Sequence, residues 1–476
     1  MSELLQPDLC ILGGGAAGAT LAAEAAARGL SVVLVEKRDI GGAKRAVQAP
    51  AHALLETARF LGVIGKAERY GIELGAPQVS FARVQARNAA LVAALARNET
   101  EARLEALNVK IIRARGQFGA RDRLDAGGFE IMAGHFVVAT GAVMKPPAVR
   151  GFDLIRPLTY ASLCALKSVP PHLIVLGDDP FGLALAQAFR RFGAKVTILS
   201  ETKIFGGVDD ELAAPVRAQF EREGIAVHEG VTLSHVEPEG EGLRFVLAGA
   251  SAGESRDTMV FEATHLVSAL GVSPVVEGLG LAAADVHYDA RGIVVDHAPR
   301  TSNRRVFAIG AVVRGARPSL SAESEAARVL GALFGRKGAL AAPAADVIAT
   351  DPEIAVAGLS EAEALARFAE IRVLRWPFSE TDAAHFQRSK SGHVKILTTA
   401  DGTIVGAGIA GSGARELINL CSLAISTGMT AAELSSVMLP YPVLSDAPRR
   451  AAGGFRPGGR VGTWLRQGLR QLCRVG

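Results

Sequence analysis

Near the start of the chain, Asp8-Leu9-Cys10-Ile11-Leu12 is an apolar run behind a single acid, bounded by glycine and too short for a helix. It reads as a strand buried on both faces. Gly13-Gly14-Gly15-Ala16-Ala17-Gly18 follows as a tight turn, and Ala19 to Arg28 as an alanine-rich helix ended by Gly29. Ser31-Val32-Val33-Leu34-Val35 is a second buried strand, closing at Glu36 and Lys37. The pattern returns at Leu173-Ile174-Val175-Leu176, with a turn from Gly177 to Gly182, a helix through Arg191 and a strand from Lys195 to Leu199. The chain is therefore read as α/β, with two strand–turn–helix–strand units.

In a unit of this kind the glycines have separate tasks. Gly13 allows the turn, Gly15 lets backbone approach a pyrophosphate, and Gly18 lets the helix pack on the strand. The helix N-terminus, with Ala16 and Ala17 in its first turn, offers unpaired N–H groups to the phosphates. Glu36 stands roughly 20 residues on, where an acid accepts hydrogen bonds from a ribose. Two such folds in one chain point to a flavin and a nicotinamide.

The 476 residues suggest about three domains of roughly 150 residues each. The 49% hydrophobic content owes much to alanine, and no run of about 18 apolar residues marks a membrane span. The start Met1-Ser2-Glu3-Leu4-Leu5 lacks the basic flank and apolar stretch of a signal peptide, so a cytoplasmic protein is expected. A net charge of +4 gives no argument for a nucleic-acid partner. Cys10, Cys164, Cys421 and Cys473 are widely separated, with no metal-ligand spacing and no disulfide framework. No metal site is expected.

Two further segments, His135-Phe136-Val137-Val138-Ala139-Thr140-Gly141 and Val306-Phe307-Ala308-Ile309-Gly310, carry a resemblance. With the glycine turns they resemble the pyridine nucleotide-disulfide oxidoreductases, flavoproteins that include dihydrolipoamide dehydrogenase, glutathione reductase and mercuric reductase. The likeness continues through Asp351 to Glu361, Gly406 to Gly411 and Tyr441 to Asp446. It implies two dinucleotide-binding, Rossmann-like domains plus a C-terminal α+β dimerisation domain. The expected divisions are an FAD-binding domain over 1–150 and 276–345, an NAD(P)-binding-like domain over 151–275, a dimerisation domain over 346–452 and a tail over 453–476. A homodimer is implied, and so is FAD held by Gly13, Gly15, Ala16, Ala17, Gly18, Glu36, Lys37, Gly42, Ala139, Thr140, Gly141, Gly310 and Ala311.

The chemistry of that family is altered at each step. Its dithiol members carry two cysteines just after a Gly-Gly, but here Gly41-Gly42 is followed by Ala43-Lys44-Arg45-Ala46-Val47-Gln48-Ala49-Pro50, with Lys44 and Gln48 in the cysteine positions. Neither side chain undergoes thiol–disulfide exchange. The family's lysine beside the flavin is replaced within Pro50-Ala51-His52-Ala53, and its glutamate partner by Ala184. The C-terminal His–Glu acid–base dyad reads Tyr441 and Asp446. His52, Tyr441 and Asp446 become the candidate catalytic residues, and packing roles for His52 and Tyr441 stay open beside that reading. Ala311 replaces an aspartate that bonds the ribitol chain, a loss of about 1.5–3 kcal/mol.

The NAD(P)-like site, Gly177, Asp179, Gly182 and Gly271, has Asp179 where the second glycine belongs. A carboxylate facing a pyrophosphate at about 4 Å, with an effective dielectric near 20, is repelled by about 4 kcal/mol, about a thousandfold in affinity. NAD(P)H binding is thereby left doubtful. At the other end, residues 460–474 place Val461, Trp464, Leu465, Leu469 and Leu472 on one helical face and Arg466, Arg470 and Arg474 on the other. Such a basic amphipathic helix can lie on an anionic membrane, dock on a partner or pack on its own dimer. Peripheral attachment to the inner face of a membrane is one expectation for location. Two functional readings stay open: an FAD-dependent oxidoreductase passing electrons to a non-disulfide acceptor such as a quinone or a redox protein, and an FAD-binding pseudoenzyme or scaffold. Dihydrolipoamide dehydrogenase activity is the remote alternative.

Overall fold

The computed structural model describes residues 3–75, 77–96, 100–240, 242–248, 260–315, 321–335 and 345–456. The chain divides into two compact units. The first comprises Met1–Phe205 and Phe220–Ala339, the second Gly206–Gln219 and Leu340–Gly476.

In the first unit, Leu9–Leu12 is the centre of a parallel sheet. It pairs with Val32–Val35 on one side and His135–Val138 on the other. Lys110–Ile112 and Val306–Ala308 complete the two edges. The apolar run is unbroken because both faces of its strand are covered: Leu9 and Ile11 pack in one cluster with Ala22, Ala25 and Val329, and Cys10 and Leu12 in another with Phe118 and Phe136. The small alanines of helix Ala16–Ala26 let it lie close on the strands. A second parallel sheet has the order Ala226–Glu229, Lys195–Ser200, His172–Leu176, His265–Ser268. Helix Pro180–Arg191 packs on it with every residue from Gly182 to Phe189 buried. Both sheets direct the C-terminal ends of their central strands into glycine turns, where α/β proteins hold ligands.

The second unit is an antiparallel five-stranded sheet in the order Asp346–Ile348, Glu353–Gly358, Ile404–Gly411, His393–Thr399, Ile371–Pro377. Helix Ala414–Ser426 buries Ile418, Cys421 and Ala424 against its core. The segment Gly206–Gln219 also belongs to this unit: Lys395, 3% exposed, places its ammonium 2.7 Å from Asp209, 2.6 Å from Glu211 and 2.5 Å from Glu361. Burial lowers the pKa of this lysine, but its three carboxylate partners outweigh burial and the net shift is upward. The ligand atoms of the three acids lie within 4.8 Å of one another, with the lysine supplying the cation among them. Among the described residues no helix is long and apolar enough to cross a membrane. The basic amphipathic stretch 460–474, and Cys473 with it, lies outside the described residues.

Candidate functional site

Close backbone approaches build the first glycine turn. Gly13 has φ +112°, and a Cβ there would stand 2.4 Å from the Ala139 carbonyl oxygen. A Cβ on Gly18 would stand 1.9 Å from the carbonyl oxygen of Gly13. Only glycine lets the turn press on the end of strand His135–Val138 and the helix press on the turn. Gly15 is different: a Cβ there would meet nothing within 4 Å. It is the N-cap of helix Ala16–Ala26, and no side chain caps that helix. The first helical turn therefore keeps its N–H groups and the positive end of the helix dipole for an anion.

The residues around this turn are drawn together from five segments. Glu36 accepts the Gly14 N–H at 2.7 Å and the Arg38 N–H at 2.8 Å, so part of its acceptor capacity holds the turn to the strand end. The Gly41 N–H donates to the Gly14 carbonyl at 2.9 Å, and a Cβ on Gly42 would stand 3.0 Å from the Gly15 Cα. Past Ala139, the Thr140 hydroxyl donates to the Val275 carbonyl at 2.9 Å, and Gly141 turns the chain with φ +72°. Gly310 comes beside the helix start, since its Cβ would be 3.7 Å from that of Ala17. The Gly310 N–H donates at 2.7 Å to Glu325, whose carboxyl pKa is raised by burial. Ala311 and Lys37 are exposed.

Lys44–Gln48 forms one π-helical turn that runs directly into helix Ala49–Ile64. No thiol is present in it. The described cysteines, Cys10, Cys164 and Cys421, are all buried. Burial raises the Cys10 thiol pKa and pushes those of Cys164 and Cys421 up to about 12, so none is a thiolate at neutral pH. His52 is exposed on helix Ala49–Ile64, with its ring centroid 6.3 Å from that of Phe181. Phe181 in turn lies edge-on to Tyr160 at 5.1 Å.

The second turn repeats the backbone of the first. Gly177 has φ +116°, and its Cβ would stand 2.2 Å from the Ala269 carbonyl oxygen, as Gly13 stands to Ala139. What differs is the helix start. Asp179 caps helix Pro180–Arg191, its carboxylate accepting the Gly182 N–H at 3.4 Å and the Tyr160 hydroxyl at 2.6 Å. The Asp179 carboxylate is thus held at the start of its own helix by the N-terminal N–H and the phenol. Burial raises the Asp179 pKa, opposed by those two hydrogen bonds. A Cβ on Gly182 would come within 2.6 Å of the Ala269 Cβ and 2.7 Å of the Tyr160 oxygen, so this glycine makes room for the tyrosine. Gly271 turns the neighbouring strand with φ +79°.

In the second unit, Tyr441 is 75% exposed, and its phenol pKa is raised by burial and by the negative charge of Asp382. Asp446 is bound by Arg449 at 2.6 Å and Arg450 at 2.5 Å. Burial works to raise the Asp446 pKa, but the two guanidiniums outweigh it and hold the carboxyl below its usual range. Tyr441 and Asp446 therefore have different charged neighbours.

A family model described as pyridine nucleotide-disulphide oxidoreductase matches residues 7–328, and the dimerisation domain of the same family matches 344–452. The chain belongs to this family. It is similar to a mercuric reductase of Streptomyces lividans, 29% identical over 466 residues that cover 94% of this chain and 96% of that protein. It is also similar to dihydrolipoyl dehydrogenase 3 of Pseudomonas aeruginosa, 30% identical over 457 residues that cover 94% and 97%. Among solved structures, LpdA of Mycobacterium tuberculosis superposes with a TM-score of 0.81 at 24% identity, covering 94% of this chain and 98% of that one. The HOCl-induced flavoprotein disulfide reductase RclA of Escherichia coli does so with 0.79 at 21%, covering 94% and 100%. These two likenesses concern the fold.

Members of the family bind FAD. The first turn fits that cofactor on its own geometry, since the direction in which a Gly15 side chain would point is open and the helix behind it is uncapped. Two residues near the turns escaped sequence reasoning. Glu325 holds Gly310 from the first turn of helix Ala322–Leu333, and its only sequence signal is an acid just after the Ser321 cap. Tyr160 reaches Asp179 from helix Tyr160–Cys164, where a Thr159–Ser162 capping box is the only local signal and says nothing of the contact.

Proposed function

We propose that this chain is an FAD-dependent oxidoreductase without dithiol chemistry, passing electrons to a non-disulfide acceptor such as a quinone or a redox protein. The observation that carries this reading is the thiol-free turn Lys44–Gln48 beside an intact, uncapped first glycine turn. FAD, when bound, supplies a two-electron carrier. The protein orients it through Gly13, Gly15, Ala16, Ala17, Gly18, Glu36, Lys37, Gly42, Ala139, Thr140, Gly141, Gly310 and Ala311, within a domain spanning 1–150 and 276–345. The 151–275 domain is NAD(P)-binding-like, and 346–452 joins two copies in a cytoplasmic homodimer.

Reducing a quinone takes two electrons and two protons. His52, exposed on the helix that follows the altered turn, is the proposed proton donor, since an imidazole can both give and take a proton. Tyr441, exposed and in the field of Asp382, is a second, with Asp446 holding the following helix in place. The segment 460–474 is proposed to bring the dimer to an anionic membrane surface, supported by its sequence pattern. Cell fractionation after removal of residues 457–476 tests that, since an unchanged distribution would remove the membrane from the proposal.

A scaffold that holds FAD without turnover is the second reading, favoured by the self-capped second turn. One experiment separates the two. The purified flavoprotein is reduced with dithionite without oxygen, and menadione or oxidised lipoamide is added while flavin absorbance is followed. Reoxidation by menadione alone is expected. Reoxidation by lipoamide overturns the loss of dithiol chemistry, and a flavin that neither compound reoxidises leaves the scaffold.

A further inference from the structure

The family implies a nicotinamide dinucleotide on the second turn, and the two turns of this molecule make an internal comparison. Both glycine backbones are the same where they press on the neighbouring strand, through Gly13 against Ala139 and Gly177 against Ala269. At the helix starts they are opposites. The first is open at Gly15 and uncapped. At the second, the Asp179 carboxylate accepts the Gly182 N–H, and Pro180 at the first helical position has no N–H to give. Tyr160, 5% exposed, fixes the carboxylate from the side. One strand over, the Thr202 hydroxyl donates to the Asp178 carboxylate at 2.6 Å and ties the turn to the end of strand Lys195–Ser200, where a ribose would lie.

We infer that the Asp179 carboxylate is a built-in occupant of the anion place at helix Pro180–Arg191, and that the second turn is closed to the pyrophosphate of NAD(P)H. A pyrophosphate needs the N–H donors of the first helical turn. Here one is absent, one is taken, and the group that takes it carries the same charge as the ligand. The Tyr160 bond holds the carboxylate against rotating away. Under the proposed function, with which this inference shares only the bound flavin, electrons reach FAD from a donor that does not use this turn.

The test is equilibrium binding and needs no turnover. The oxidised flavoprotein is titrated calorimetrically with NAD, NADP and ADP-ribose, beside Asp179→Asn and Asp179→Gly variants matched for flavin content and circular dichroism. The wild-type protein is expected to show no saturable binding. Asp179→Gly is expected to gain it, with affinity higher by at least about tenfold and by up to about a thousandfold, the range of a like charge removed near a phosphate. Asp179→Asn keeps the size and cap of the residue without its charge and is expected to fall between. Saturable dinucleotide binding by the wild-type protein would overturn the inference. So would a well-folded pair of variants that gain none, because the carboxylate would not then be what closes the turn.

Discussion

Placing an aspartate at Gly15 gives the first turn the residue that occupies the second. Gly15 has φ −67°, which any L-residue adopts, and its Cβ would meet no atom within 4 Å, so Gly15→Asp carries no steric penalty in the protein. The new carboxylate stands at an uncapped helix start and gains the cap that Asp179 has, a contribution of roughly a few tenths of a kcal/mol over glycine. The apoprotein is therefore expected to be as stable as the wild type, or slightly more so. The same carboxylate faces the pyrophosphate of FAD. At about 4 Å and an effective dielectric near 20 the repulsion is about 4 kcal/mol, about a thousandfold in affinity. Solvent at the mouth of the turn reduces this, so a loss of about a hundredfold or more is expected. Gly15→Ala carries no charge and should retain more FAD than Gly15→Asp. The assay is titration of flavin-free protein with FAD, read by quenching of flavin fluorescence, with thermal unfolding of the apoproteins as the control. If Gly15→Asp held FAD within about threefold of wild type, a difference of about 0.7 kcal/mol, the pyrophosphate would not lie on this helix.

Further outcomes follow from the same geometry. Lys395→Met removes the cation shared by Asp209, Glu211 and Glu361 and should destabilise the second unit by about 3–5 kcal/mol, measured by urea unfolding; a change below about 1 kcal/mol would mean the acids relax into solvent. The hydrogen bond from Arg375 leads in lowering the Glu211 pKa from 4.5 to about 2, so its stabilising effect is present above pH 4.5 and lost as pH falls toward 2. The difference in melting temperature between wild type and Glu211→Gln should shrink across that window, and a constant difference would refute the assignment. Gly182→Ala drives a methyl into Ala269 and the Tyr160 hydroxyl and should cost about 1–3 kcal/mol, checked by denaturant titration. His52→Ala should slow menadione reoxidation of the reduced flavin by about a hundredfold if His52 delivers the proton, with flavin content unchanged; stopped-flow absorbance reads this directly.

The amino-acid sequence alone determined the two strand–turn–helix–strand units, because glycine at Gly13, Gly18 and Gly177 answers steric demands that arise within a few residues or at a fixed neighbouring strand. It also determined the loss of the dithiol, since no folding can give Lys44 or Gln48 a sulfur. The presence of Asp179 was legible in the same way. Its direction was not: that depends on the hydroxyl of Tyr160, which comes from a different helix and becomes a neighbour only when the first unit packs. The same holds for Glu325 at Gly310, and for Gly206–Gln219, which sits in the sequence among the strands of the second dinucleotide sheet yet joins the C-terminal unit through Lys395. Tyr441 and Asp446 look paired in the sequence by family position, and the tertiary structure instead pairs Asp446 with Arg449 and Arg450 and leaves Tyr441 exposed. Backbone sterics and residue chemistry act over short range and leave their mark in the sequence. Where a buried carboxylate or hydroxyl turns is decided by which donors and charges packing brings to it from distant segments, and only the folded chain holds them together.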